Sequence, residues 1–203
     1  EDFTLDVAGM QGKGKLTVFP NPNAPTGIAL PLDQVEAIVA SNPDHVVVVD
    51  EAYVDFGADS AVPLLQKYEN LLVVMTYSKS RSMAGARLGF ALGSRALIQD
   101  LEKLKYSTNP YNVNRLTLKL GQAAVDSDGY FREKAREIMA TREKTAQALR
   151  ALGFTLPDSQ ANFLFVAHPK VAGETLYRKC KEKGVLIRHF SNPAIAAYNR
   201  VTI

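Results

Sequence analysis

The chain has 203 residues, of which 46% are hydrophobic and 22% charged, and a net charge of +3 from 24 basic and 21 acidic side chains. Such a length and composition suit a soluble globular protein with a real core, one large domain or one and a half ordinary ones. The charge is too mild and too evenly spread for a nucleic-acid or membrane-surface partner, no apolar run approaches a membrane span, and a lone cysteine, Cys180, excludes an internal disulfide and fits a reducing compartment.

His45, His168 and His189 lie far apart without ligand spacing, so no metal site is expected. The chain opens at Glu1 without an initiator Met and stops at Val201-Thr202-Ile203 inside an apolar run, which reads as a piece of a longer protein. A short alternating strand is predicted over 15–19. It runs into Pro20-Asn21-Pro22-Asn23-Ala24-Pro25-Thr26-Gly27, where three prolines and a glycine forbid regular structure. A rigid loop after a strand end is where α/β folds place ligand contacts, although a plain Pro-rich turn is the favoured reading of this stretch taken alone. A helix is predicted over 32–40. Val46-Val47-Val48-Val49 is apolar on both faces and predicts a central strand covered by helices. It ends in Asp50-Glu51-Ala52-Tyr53, and carboxylates at that place are costly unless they meet a ligand or a cation. The alternative is an exposed acidic turn.

A short helical turn over 63–68 leads to a buried strand over 71–75. After it comes Thr76-Tyr77-Ser78-Lys79-Ser80, with Arg87 eight positions beyond Lys79. A lysine just past a buried strand is partly desolvated, and its amine is then free to attack a carbonyl. The hydroxyls of Thr76, Ser78 and Ser80 with the fork of Arg87 suit a phosphate. Lysine beside a phosphate cradle is what a pyridoxal phosphate (PLP) Schiff base needs; a surface turn with a solvated lysine is the plain alternative. A second apolar run follows at 88–92. Helices are predicted over 94–105, 114–125 and 130–152, the last ended by Gly153. Then come a strand over 163–166, a helix over 172–183 closed by Gly184, a strand over 185–187, and a further strand beginning at Arg200.

Three motifs occur together in one order: Asn-Pro-Asn-Ala-Pro-Thr-Gly, Asp-Glu-Ala-Tyr, and Ser-Lys-Ser-Arg-Ser-Met-Ala-Gly-Ala-Arg-Leu-Gly-Phe, with Pro-Tyr-Asn-Val-Asn after them. Their combination resembles the class I/II PLP-dependent aminotransferases of fold type I, in detail most the histidinol-phosphate branch. The resemblance covers the whole chain. It implies an α/β fold: residues 1–115 as the C-terminal half of a three-layer α/β/α PLP-binding large domain, 116–150 as connecting helices, and 151–203 as a small C-terminal α/β domain. It implies Lys79 as the residue that takes the cofactor's aldehyde and later moves a proton at the substrate Cα, and Asp50 as partner of the pyridine nitrogen. It implies Tyr53 on the phenolic oxygen, and Arg87, Ser78 and Thr76 on the phosphate. Arg200 is implied for the substrate carboxylate, with Arg188 and Asn162 nearby. Many relatives have Asn directly before Pro-Thr-Gly, touching the phenolic oxygen; here that position is Ala24, and Asn23 is the neighbouring substitute. The resemblance further implies a cytoplasmic homodimer that passes an amino group between histidinol phosphate and 2-oxoglutarate or glutamate. Threonine-phosphate decarboxylase and aromatic aminotransferases share the same cofactor residues. The family's glycine-containing phosphate turn and ring-stacking aromatic are not among these residues, so weak PLP retention is expected of the 203 residues alone. A non-catalytic α/β module binding a phosphorylated ligand or a partner chain is the reading of a different class.

Overall fold

The computed structural model describes residues 2–12 and 16–203, so Glu1 and Lys15 lie outside the described residues. A four-stranded sheet is built from β1 (Leu16–Pro20), β2 (Val46–Asp50), β3 (Leu71–Thr76) and β4 (Gly89–Gly93), in that spatial order, with β1, β2 and β3 parallel and β4 antiparallel. Helix α1 (Leu32–Ala40) follows β1 and lays Val35, Ile38 and Val39 against Phe19, Val47, Val49, Leu71 and Val73. These strand residues all project from one face, because their register matches and side chains two apart share a face. The opposite face is more open than the all-apolar Val46–Val49 run suggests: Val46 and Val48 are half-buried, and Val18 is 58% exposed.

Beyond β4 lie α2 (Arg95–Thr108), α3 (Arg115–Asp126) and the long α4 (Asp128–Ala151). The Ser94 hydroxyl and the Asn114 side chain cap α2 and α3 by accepting from the amides of Leu97 and Thr117. α2 runs three residues past its expected end at 105 and stops just before Asn109-Pro110. A second, antiparallel sheet comprises β5 (Phe163–Ala167), β6 (Arg188–His189) and β7 (Tyr198–Thr202), in the order β5-β7-β6, with α5 (Gly173–Glu182) between β5 and β6 in sequence.

The expected strand over 185–187 is absent. Gly184 sits at φ +79°, its amide donates to Lys181 O at 3.0 Å, and the Val185 amide donates to Cys180 O at 2.9 Å. These are the two bonds of a Schellman cap, so Val185 belongs to the close of α5. The same pair closes α4, where Gly153 and Phe154 donate to Arg150 O at 2.9 Å and Leu149 O at 3.0 Å. A buried cluster of Tyr53, Phe56, Ala135, Ala161 and Phe163 joins the stretch after β2, helix α4 and the start of β5.

Candidate active site

Parallel pairing aligns the ends of β2 and β3. Asp50 is opposite Val74, and Thr76, two residues on, projects from the same face. Chain 77–88 leaves and rejoins the sheet there, since Gly89 of β4 pairs with Thr76. Asp50 Oδ1 accepts the Ala52 amide at 2.9 Å, an Asx turn that swings the chain out of β2. That turn buries Tyr53, whose ring meets Phe163 edge-on at 5.1 Å. Lys79 is half-buried in the loop after β3, its Nζ 5.1 Å from the centre of the Tyr53 ring. Among the described residues no carboxylate forms a salt bridge with it.

The lysine loop is braced from both sides. Thr76 Oγ1 accepts the Ser78 amide at 3.0 Å and donates to Leu88 O at 3.4 Å. Arg81 pairs with Asp128 at 2.6 Å and lies over the Phe131 ring at 5.4 Å. The hydrogen bond from Arg81, then that from Arg132, holds the Asp128 carboxyl below the usual range. Ser80, expected among the phosphate hydroxyls, instead donates to the carboxylate of Asp55. Arg87 is exposed, adopts the left-handed conformation at φ 54°, and donates from Nη1 to Ala84 O at 3.1 Å.

Glu51 departs from its expectation of a ligand or cation. It is 2% exposed and accepts from the Ser60 hydroxyl at 2.7 Å and from the Ala61 amide. Burial pushes its carboxyl above the ordinary value. In the Pro-rich loop, buried Asn21 spends its side chain on the main chain of Leu30, at 2.7 Å from its amide and 3.3 Å from its carbonyl. Asn23 closes the turn through its main chain, donating to Ile28 O and accepting from Gly27, both at 2.8 Å. Ala24 beside it is exposed.

On the second sheet, Arg200 is in register with Phe165 of β5 and with Arg188 of β6. Two guanidinium-bearing residues directly opposite each other repel unless an anion is shared. Arg200 lies over the Phe163 ring at 5.1 Å, and its buried Nε has no hydrogen-bond partner among the described residues. Arg188 is exposed and lies over Phe190 at 5.9 Å. Asn162 is half-buried, and its carbonyl accepts the Ile203 amide at 3.0 Å. Lys79, Tyr53, Phe163 and Arg200 thus form one continuous run of contacts between the two sheets. Asp50, Thr76 and Ser78 share its strand-end rim. Among the described residues no side chain hydrogen-bonds to the Lys79 amine, and Arg87, Asn23, Asn162 and Arg188 take no part in this run of contacts. Two residues here were not singled out from sequence. Phe163 gave only the signal of an apolar strand. Asn199 is fully buried, donates to Gly173 O at 3.0 Å, and lies 3.2 Å from His189 Nδ1 through its Oδ1; its place beside Arg200 was its only cue.

A mixed α/β sheet with a lysine just past a parallel strand and an acid ending the next strand defines the class of PLP-dependent transferases of fold type I. The chain belongs to the aminotransferase class I and II family, whose sequence profile matches residues 1–203. It is 51% identical over 206 residues to histidinol-phosphate aminotransferase 1 of Bordetella parapertussis and 48% identical over 204 residues to histidinol-phosphate aminotransferase of Brachyspira hyodysenteriae. Both alignments cover 100% of this chain and 58% of the relative, so the chain spans little more than half their length. Its fold matches the crystal structure of histidinol-phosphate aminotransferase from Sinorhizobium meliloti in complex with pyridoxal-5'-phosphate, with TM-score 0.80 at 23% identity, covering 93% of this chain and 52% of that one.

Proposed function

We propose that the whole protein is a PLP-dependent aminotransferase acting on L-histidinol phosphate and 2-oxoglutarate. The observation that carries this is the run from Lys79 at one sheet to Arg200 at the other, with Asp50 at the neighbouring strand end. The donor set fits the cofactor. Among the described residues no carboxylate pairs with the lysine, and one oxygen of Asp50 is fixed by an amide, which leaves the other to accept from a ring nitrogen. An arginine and a Thr–Ser turn stand at the same sheet end for an ester phosphate. PLP supplies an electron sink for the carbanion at the substrate Cα.

The chain's own residues do the rest. Lys79 would hold the cofactor by its amine and would move the proton at the substrate Cα. Asp50 would partner the ring nitrogen and favour its protonated form. Tyr53 would donate its hydroxyl to the phenolic oxygen, and Asn23 would stand in for the residue missing at Ala24. Arg200 clamps a carboxylate with two parallel bonds, satisfying the orphaned Nε, with Arg188 and Asn162 at its flank. On this reading residues 1–115 belong to the cofactor domain, 116–150 connect, and 151–203 form the small domain, in a cytoplasmic homodimer.

The test is borohydride reduction of the whole protein with PLP, followed by peptide mapping. A pyridoxyl adduct on Lys79, with glutamate formed from histidinol phosphate and 2-oxoglutarate, is the expected result. Lys79→Ala should lose the adduct and about a thousandfold or more of the turnover. No adduct in the parent protein would leave the non-catalytic phosphate-ligand module standing.

A further inference from the structure

Arg142 lies at mid-length on α4, half-buried, and no carboxylate pairs with it among the described residues. A buried guanidinium without a counter-ion is costly unless its donors are used. Here they are. Nη1 donates to Phe56 O at 2.8 Å and to Ala161 O at 2.8 Å. The two carbonyls belong to stretches far apart in sequence. Phe56 closes the turn that begins at Tyr53, its amide donating to Tyr53 O at 3.1 Å. Ala161 directly precedes Asn162 and Phe163. Phe56, Ala161, Tyr53 and Phe163 share one buried cluster with Ala135 of the same helix. Burial lowers the guanidinium's pKa, in keeping with its place between the elements.

Each carbonyl therefore marks one half of the run described above. The Phe56 side carries Tyr53, against which Lys79 rests at 5.1 Å; the Ala161 side carries Phe163, against which Arg200 rests at 5.1 Å. One nitrogen is thus bonded to both halves. A shift between groups that must hold one substrate weakens their joint grip on it, which reads as a raised KM. We propose that Arg142 is a positioning residue that fixes the separation of Lys79 from Arg200 by holding the main chain on either side of the Tyr53–Phe163 contact. This rests on the aminotransferase reading, and it adds a residue that touches neither substrate nor cofactor.

The test uses the whole protein loaded with PLP and two variants, R142M, which keeps the apolar stem, and R142K, which keeps a charged donor on a shorter stem. In R142M, labelling of Lys79 by PLP and borohydride should match the parent, while KM for both the amino donor and 2-oxoglutarate rises about tenfold or more and kcat changes less. R142K should fall between parent and R142M. Unchanged KM in R142M overturns the proposal. So does a loss shared equally by labelling and turnover, which would mark a purely structural role. If R142M does not fold, R142K decides: a raised KM with full labelling supports the proposal, and parental KM overturns it. If the parent itself shows no Lys79 adduct, the aminotransferase reading fails instead, and the two failures are distinguishable.

Discussion

Arg200 is the side chain that carries the proposed substrate clamp. Its guanidinium lies over the Phe163 ring, and its buried Nε has no partner among the described residues. Arg200→Lys keeps the charge and loses the planar pair of donors. The expected result is a rise in KM for 2-oxoglutarate of about 10- to 100-fold, the equivalent of one charge-assisted hydrogen bond, read by steady-state kinetics. Glu51 offers a prediction of opposite character. Its pKa is raised in the folded protein, mainly by burial. The stability it contributes is therefore complete below the ordinary glutamate pKa and is lost as pH rises through the folded value. Glu51→Gln, which cannot ionise, should become progressively more stable relative to the parent between pH 4 and pH 8 in urea melts. A constant difference across that range would contradict the sign. At this scale the positions proposed to carry the chemistry could be singled out because they are contiguous: Asp50 to Tyr53 and Thr76 to Lys79 each sit in one short motif. Phe163, Asn199 and the partners of Glu51 were not, because their roles come from residues brought together only by packing.

Among the elements, those with local end signals were read well and those without were not. α1 matches its expected span, and the glycines at 153 and 184 close α4 and α5 as expected. The apolar stretch 185–187 misled because strand propensity is the weaker claim where a Schellman cap already uses the Val185 amide. β7 began two residues earlier than expected, since Tyr198 and Asn199 pair with Ala167 and Val166, a non-local match that no motif announces. β4 carries a sharper constraint. A Cβ at Gly89 would lie 2.9 Å from Met75 O, a main-chain atom of the neighbouring strand. Gly89→Ala should therefore cost about 1–3 kcal/mol in equilibrium unfolding and shift the loop that ends at Arg87. A variant as stable as the parent would show that the strand pair yields easily.

Over the molecule as a whole, apolar surface is unevenly covered. Leu16 and Val18 on the open face of the first sheet are 59% and 58% exposed, and Leu116 on α3 is 78% exposed. Edge β1 also offers unpaired main-chain groups. The 203 residues alone should associate at micromolar concentration and retain PLP weakly, as light scattering and absorbance after gel filtration would show; a monomer with stably bound PLP would contradict both expectations. The sequence pattern missed this asymmetry because Val46 to Val49 is apolar throughout whether or not both faces are covered. One seam between the halves has a consequence for inheritance. The Gly27 carbonyl accepts the Gln160 amide at 2.8 Å, and Gly27 sits at φ +79° with the Ser159 side chain where a Cβ would go. Chimeras that graft residues 151–203 from one homologue onto 1–150 of another will thus express poorly when positions 27 and 159 come from mismatched parents, and should recover when that pair travels together.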